Sequence, residues 1–543
     1  MPSIMVQQKS PISAITELDA RKTPWRSIWL CNTLQLLNGI QFSILFTSMW
    51  PYLRILDSTA NVDFYGWIVA VFPLGQTVAS FLFGVWNQKT KTAKYPVATG
   101  AAIMGIGNFI YGTLPLYKRG AKWIMLTARF IVGFGSGNLS VLRTYVATAT
   151  APKDRVKALS VGIGMFVLGL SIGPAVMLIF TPLGPNGFHL GWFPVTMYNF
   201  PALVMVLIAI ASLTLLFTCF QEEYAGIINT KKSDDSFSDV VVPKFDKLAA
   251  FICIGVWFVL QSVGTNSEVL MIPLTMAIYN WKNGEAIFYN GIIVFASTVI
   301  SFSIYLIIGL TRVGKFDKRK MIVFGLSTFM LYHLINIPWP FYSGPLDYMP
   351  TDKGIILVLR RELFRPRESA NSAKYMAKGD QEFFSTFKIP DHNGDVFRAI
   401  GNSTVEDTSV SGGCFRRYEW CAHTTRIPLP LYVFASTILT GISFPNVGSP
   451  CGTLFAEILG PRNQGFMQGM FAFFGSTGRF LGPIISTALF ESNGYLLPMV
   501  ILLTMLAVAV LTIIIFHHRL VPLQLIPPVG VPTPYKHGTF YRL

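Results

Sequence analysis

Twelve apolar stretches, each about 20 residues long, recur along the 543-residue chain, at approximately 27–50, 65–86, 96–115, 123–147, 158–181, 196–219, 248–270, 286–310, 321–340, 429–450, 466–487 and 496–516. Each is long enough to cross a hydrocarbon core about 30 Å thick. A backbone in that core must satisfy its own hydrogen bonds, so such stretches fold as helices. Charged residues make up 13% of the chain, against roughly 25% in soluble domains. The expected fold class is therefore all-α, a polytopic membrane protein with 12 transmembrane helices in two six-helix pseudo-symmetric bundles. Residues 1–26 are polar and lack an apolar core, so no cleavable leader is expected and the first span inserts the chain.

The formal net charge of +16 could suggest nucleic acid, but its distribution argues otherwise. Arg21, Lys22 and Arg26 precede the first span. Lys89, Lys91 and Lys94 share one short loop, Lys153, Arg155 and Lys157 another, and Arg312, Lys315, Lys318, Arg319 and Lys320 a third. The intervening short loops are poorer in cations, with Lys118, Arg119 and Lys122 as the exception. The positive-inside rule then places both termini in the cytosol, as an even number of spans requires. The bilayer, and not nucleic acid, is the partner this charge implies.

Cys31, Cys219, Cys253 and Cys451 lie in or beside spans and read as small apolar fillers. Cys414 and Cys421 lie instead in the one long hydrophilic insertion, residues 341–428, which topology places on the non-cytosolic side, where disulfides persist. The insertion also carries the glycosylation sequon Asn402-Ser403-Thr404. A second sequon, Asn138-Leu139-Ser140, falls inside a span and is expected to stay unmodified. No spacing resembles a zinc site, a P-loop or a dinucleotide loop, so the chain reads as no enzyme, with no cofactor or metal and no ATP-driven step.

The chain divides at residues 220–247, a polar stretch containing Lys231-Lys232-Ser233-Asp234-Asp235-Ser236. This gives an N-terminal tail (1–26), one six-helix bundle (27–219), a central loop, a second bundle (248–516) holding the insertion, and a C-terminal tail (517–543). Two echoes relate the halves. Phe64-Tyr65-Gly66-Trp67 opens the second span and Phe288-Tyr289-Asn290-Gly291 the eighth. Pro152 precedes Pro174 by the same interval as Pro461 precedes Pro483, each second proline following a glycine. Parallel repeats about an axis normal to the membrane explain both.

Several stretches resemble the lysosomal branch of the major facilitator superfamily called domain-containing protein eight, a branch linked to a childhood neuronal ceroid lipofuscinosis. They include Trp50-Pro51-Tyr52-Leu53, Leu74-Gly75-Gln76-Thr77, Phe83-Gly84-Val85-Trp86, Ala128-Arg129 with the glycines that follow, Pro273-Leu274-Thr275-Met276 and Arg479-Phe480-Leu481-Gly482-Pro483. The pair Cys414 and Cys421, with Trp420 between them, is also similar to that branch. The resemblance implies residence in lysosomal or late-endosomal membrane and movement of a small solute; an anion (chloride) conductance is attributed to the branch. The superfamily signature Gly-x-x-x-Asp is broken here, because Gln88 stands where the acid would follow Gly84. Gly169-Leu170-Ser171-Ile172-Gly173-Pro174 resembles part of an antiporter signature, but its trailing glycine pair is Met177-Leu178.

The candidate transport residues are the rare charges and amides inside spans. Arg129 sits in the fourth span before Gly133, Gly135 and Gly137; an intramembrane guanidinium is costly enough to mark function, and the glycines admit a neighbouring backbone. Arg143 follows 14 residues later, near the same face and about 21 Å deeper, close enough to the cytosol to snorkel. Glu268 is the acidic residue well inside the spans, near the luminal end of the seventh, and suits proton coupling. At similar depth to Arg129, it could pair with that arginine and close the luminal mouth. Arg479 falls near the midplane of the eleventh span, among Gly475, Gly478 and Gly482. Gln35, Asn38 and Gln41 form a stripe on the first span that reads as cavity lining. His333 reads as structural.

Three arginines against one glutamate favour an anionic solute. The chain thus reads as a lysosomal or endosomal transporter of a small anion by alternating access, with protons as a possible partner. An anion (chloride) channel on the same scaffold, and a non-transporting sensor or scaffold, are the alternatives. Glu223-Tyr224-Ala225-Gly226-Ile227-Ile228 resembles an acidic dileucine sorting signal, though it lies close to the membrane.

Overall fold

The computed structural model describes residues 20–57, 62–117, 119–184, 187–191, 193–227, 244–349, 412–415, 418–523, 533–535 and 538–540. Twelve helical rods run through them. The first half holds α1 (Trp25–Ser43, then Phe46–Leu56), α2 (Val62–Thr90), α3 (Lys94–Gly112), α4 (Ala121–Gly135, then Asn138–Ala149), α5 (Arg155–Phe180) and α6 (Phe200–Thr218). The second holds α7 (Lys247–Tyr279), α8 (Asn283–Leu310), α9 (Lys318–Ile335), α10, α11 (Gly465–Asn493) and α12 (Leu496–Ile515). Helix α10 is composite: Leu429–Phe434, a π-helical turn at Ala435–Leu439, then Thr440–Leu459. Twelve crossings return the chain to the side it started from, the basal side; the other is the distal side. Two short hairpins, Phe188–Leu190 with Phe193–Val195 and Thr533–Tyr535 with Gly538–Phe540, complete the described structure.

Eight of these rods are long and apolar enough to span on composition alone. Those whose apolarity is diluted include α1 and α11, which carry the buried amides and Arg479. Lipid has no more affinity for itself than for leucine, so the helices associate through close packing of small residues. On α1, a Cβ at Gly39 would lie 2.2 Å from the Phe166 carbonyl oxygen of α5. On α4, a Cβ at Gly133 would lie 2.2 Å from the Phe72 carbonyl oxygen of α2, and one at Gly135 would lie 2.6 Å from the Gly100 carbonyl oxygen of α3. The glycines after Arg129 therefore admit two helices.

In the second half α11 packs on α7 as α5 packs on α1. Gly482 receives the Asn266 side chain of α7, and Gly173 receives the Ser43 side chain of α1. The Gly-Pro echo between the halves thus marks equivalent helix crossings. One core unites Ile28, Val97, Tyr145 and Leu159 in the first bundle. Another unites Trp257, Phe329, Phe455 and Leu506 in the second. His333 is buried there, its Nδ1 3.3 Å from the Met499 sulfur. Cys31, Cys253 and Cys451 are buried fillers, and Cys219 is half-buried.

On the basal side, the Thr23 hydroxyl donates to Asp154 at 2.7 Å, and Ser27 bonds the Gln221 carbonyl at 2.7 Å. The Ala225 and Gly226 amides donate to the Ala149 and Thr148 carbonyls at the end of α4. The start of the dileucine-like motif is therefore pinned to the bundle, a poor arrangement for a sorting adaptor that binds an extended peptide.

A second compact unit comprises residues 272–289 and 338–426. Its described part is closed by a Cys414–Cys421 disulfide. The Met349 amide donates to the Cys414 carbonyl and the Cys414 amide to the Asp347 carbonyl, both at 2.9 Å. A loop of eight residues gains about 2 kcal/mol from such a bridge by chain-entropy arithmetic, enough to shape the loop only. Asn402 lies outside the described residues.

Asp347 accepts from Arg426 at 2.6 Å and from Asn280 at 2.8 Å, and these partners hold its carboxyl below the usual range. A depressed carboxylate stabilises the fold above the unfolded value of about 3.9, and the gain is lost as pH falls through the folded value. Asp347→Asn should therefore speed proteolysis of this unit equally at about pH 7 and pH 5, the difference from wild type vanishing only below about pH 4. A difference that disappears already between pH 7 and pH 5 would contradict the arrangement.

Candidate functional site

Arg479 lies 14 residues from either end of α11, hence about 21 Å along the helix from both. Gly475 and Gly478 beside it seat α11 on Trp257 and Ser262 of α7. That crossing leaves the guanidinium only half-buried, 5.9 Å from the Phe42 ring of α1. Arg479 thus reaches from the second bundle toward the first.

Arg143 reaches the opposite way. From α4 its guanidinium lies 5.5 Å from the Phe166 ring of α5 and 5.4 Å from the Trp257 ring of α7. Cation–π contacts of this kind replace part of the lost hydration. Arg143 lines a cavity of about 20 Å³ with Gln35, Trp257, Gln468 and Phe471. The expectation that it would snorkel to the basal surface is corrected: it stands in the seam between bundles, because its helix face looks across to α7. Tyr305 of α8 and Arg479 are its electrostatic neighbours.

Glu268 shares one face of α7 with Gln261 and Thr265, at a spacing of four and then three residues. Its side chain is exposed although its electrostatic partner is the half-buried Arg479 at the middle of α11, so it faces an opening between the helices. No N–O contact within salt-bridge distance joins the two, and Arg143, Arg479 and Glu268 form a string of charges, two positive and one negative, along the seam.

Arg129 is not part of that string. It is fully buried within the first bundle, 4.8 Å from the Phe72 ring, with Tyr65 and Tyr111 as electrostatic neighbours. None of its guanidinium nitrogens has a hydrogen-bond partner. Glu268 faces Arg479 in this conformation and not Arg129. Arg129 is enclosed by α2 and α3, which supply Phe72, Tyr65 and Tyr111, so it has no path to the seam.

The amide stripe also divides. A step of three residues turns a helix by 300°, so each successive member rotates by about 60°. Gln35 faces the seam. Asn38 and Gln41 face a separate cavity of about 20 Å³ between α1, α3 and α6, where Gln41 and Asn108 exchange hydrogen bonds of 3.1 and 2.6 Å. Trp257, Tyr305 and Gln468 belong to the seam and were not legible as site residues; Trp257 and Tyr305 are hidden in apolar runs. Their signal was helical spacing, since Trp257 and Gln261 stand 11 and 7 residues before Glu268.

The seam closes toward the basal side. The Ser160 and Ser449 hydroxyls are 2.5 Å apart across α5 and α10, and the Ser476 hydroxyl of α11 meets Gln76 of α2 at 3.3 Å. Nearer the basal surface, a Cβ on Gly84 of α2 would lie 2.7 Å from the Gly469 Cα of α11.

Two bundles of six helices with a charged seam at mid-depth have a match among known proteins. The sequence pattern of the Major Facilitator Superfamily matches residues 32–358. The chain belongs to the major facilitator superfamily. It is 29% identical over 525 residues to major facilitator superfamily domain-containing protein 8 of Xenopus laevis, covering 95% of this chain and 96% of that one. Among solved structures, it is similar in fold to the human organic anion transporter MFSD10 (TETRAN), with a TM-score of 0.55 and 14% identity over 90% of this chain and 99% of that one. It is similar also to the proton:xylose symporter XylE bound to 6-bromo-6-deoxy-D-glucose, with a TM-score of 0.58 and 13% identity over 93% and 96%. Superfamily members are transporters, and this one is a multi-pass membrane protein of that kind.

Within this superfamily member the broken signature acquires a physical meaning. Gln88 Oε1 accepts from the Phe466 amide at 3.2 Å, at the N-terminus of α11. A neutral amide thus ties the bundles at the position where the superfamily signature has an acid. Gln88→Asp adds a charge worth about 1 kcal/mol there, roughly fivefold in population. Disulfide trapping of a Ser160→Cys/Ser449→Cys pair, across the same seam, should be about fivefold faster in Gln88→Asp and slower in Gln88→Ala. Equal rates in all three would disprove the tie.

Proposed function

We propose that this chain is a carrier of a small anionic solute, working by alternating access in lysosomal or late-endosomal membrane with protons as coupling partner. The observation that carries the reading is Arg143 and Arg479 converging from opposite bundles on one seam, with Glu268 as the one facing acid among the described residues. Two guanidinia against one carboxylate leave a net positive site, and guanidinium is the group that holds carboxylate or phosphate by two parallel bonds. A carrier places its site at such a repeat interface, near mid-depth. The basal closure by glycine-to-glycine packing favours alternation over a continuously open pore. Glu268, exposed and next to Arg479, is the group that would exchange protons with the distal side. Uptake into vesicles reconstituted with the purified protein tests the sign of the solute. Organic or inorganic anions should compete with one another and neutral analogues should not; preference for a neutral or cationic panel would overturn the reading.

The domain layout proposed with it has bundles at 27–219 and 248–516, a cytosolic central loop at 220–247, cytosolic tails at 1–26 and 517–543, and a luminal insertion at 341–428. The basal side is then cytosolic. The lysosomal assignment rests on the quoted resemblance. Glycosylation at Asn402 follows from this topology, so Asn402→Gln should abolish a glycosidase-sensitive shift on gels. A shift that persists unchanged would put the side or the site in error.

A further inference from the structure

We infer that the basal end of the α2–α11 seam is a binding site for an anionic phospholipid of the basal leaflet. A cavity of about 560 Å³ opens there, between the end of α2, the start of α7 and the loop that leads into α11. Small-molecule sites commonly have volumes of 300–1,000 Å³. Lys247 and Arg462 supply its charge, with Gln88 and Asn463 as further polar groups, and no acidic residue among the described residues lines it. Of the adjacent described acids, Asp246 pairs with Arg519 at 2.7 Å and Glu457 with Lys318 at 3.1 Å. The Arg462 guanidinium is held 5.3 Å from the Phe245 ring. Because α11 begins at Gly465, its N-terminal partial charge adds to the positive field.

The cavity also fits chains as well as a headgroup. Phe251 and Phe466 line it and are 54% and 41% exposed. Phe81 packs against Phe466 at 6.1 Å and continues the apolar wall along α2, on a surface that faces lipid. Lys247 starts α7 and so stands at headgroup level. Cations at the level of the phosphates above an aromatic wall at the level of the acyl chains select an anionic phospholipid over a soluble anion. Gln88 lines the same cavity, so the occupant touches the residue that ties α2 to α11.

The test is lipid retention and thermal stability of the purified full-length protein, in neutral detergent with phosphatidylcholine alone or with added phosphatidylserine or phosphatidylinositol 4-phosphate. Wild type should retain the anionic lipid in native mass spectrometry and melt at a higher temperature with it. Lys247→Gln/Arg462→Gln should lose at least tenfold in retention and lose the anionic-lipid increment in melting temperature, while eluting as a monodisperse species. Lys247→Gln alone, at an exposed residue, guards against misfolding of the double variant and should lose part of the retention. Lys89→Gln/Lys91→Gln, on the same side but outside the cavity, should behave as wild type. Equal retention by wild type and the double variant, or an equal loss in the Lys89/Lys91 control, would overturn the site. Stabilisation by inorganic phosphate alone, as large as by the lipid, would overturn the assignment to lipid.

Discussion

Arg479→Gln is expected to reduce anion flux by at least about 100-fold, roughly 2.7 kcal/mol, while the protein still reaches its membrane. The electrostatic partner of Arg479 is Glu268. Glu268, exposed at the opening of the seam, keeps access to water when Arg479 is removed, so the cost in stability is expected to stay within about 1 kcal/mol, as for other solvent-accessible charge pairs. Arg479→Gln should therefore lose flux while its melting temperature stays close to wild type, and Arg479→Gln/Glu268→Gln should not restore flux. Flux that stays lost when the neighbouring charge is also removed separates a substrate-binding arginine from one that only neutralises a neighbour. Arg479→Lys keeps the charge but loses the planar fork, so partial flux is expected. Initial rates of anion uptake and melting temperatures of the four proteins decide it. Wild-type flux in a correctly delivered Arg479→Gln protein would reduce Arg479 to packing.

Gly133→Val is expected to abolish the folded protein. Its Cβ would enter the 2.2 Å space before the Phe72 carbonyl oxygen, and would also lie 2.8 Å from the Phe72 Cα. Both atoms are backbone of a helix interior and cannot swing aside. Separating α2 from α4 would also part Phe72 from Arg129, which has only aromatic neighbours to compensate its burial. The sum exceeds about 4 kcal/mol, in the range reserved for disrupted cores and unpaired buried charge. Size-exclusion profiles of a fluorescent fusion should show aggregate for Gly133→Val. Gly66→Ala on α2, where a Cβ meets nothing within 4 Å, should elute as wild type. A monodisperse Gly133→Val protein would show that the helices can slide apart at little cost.

The helices were legible because a bilayer demands length and apolarity, and both are written in one dimension. Arg143, Glu268 and Arg479 were legible because a charge in an apolar run stands out. Direction was not. Arg129 and Arg143 lie 14 residues apart on what reads as one helix, yet their depths differ by about 21 Å, and at its own depth one meets Phe72 within its bundle while the other meets Trp257 of the other bundle. Gln35, Asn38 and Gln41 read as one stripe, yet the rotation of a three-residue step sends Gln35 to the seam and the other two away from it. Gln88 acts through a backbone amide 378 residues away, a contact with no local signature. Trp257 is one aromatic among many in an apolar segment, and only the helix that packs beside it shows that it faces Arg143.

A seam closed at its basal end and charged at mid-depth is proposed to carry an anion by alternation. The most direct test is the concentration dependence of anion uptake into vesicles holding the purified protein, with and without the same anion inside. The account predicts a rate that saturates and that rises when unlabelled anion is present on the far side. A rate that stays linear in concentration, carries ohmic current and ignores the anion on the far side would contradict it.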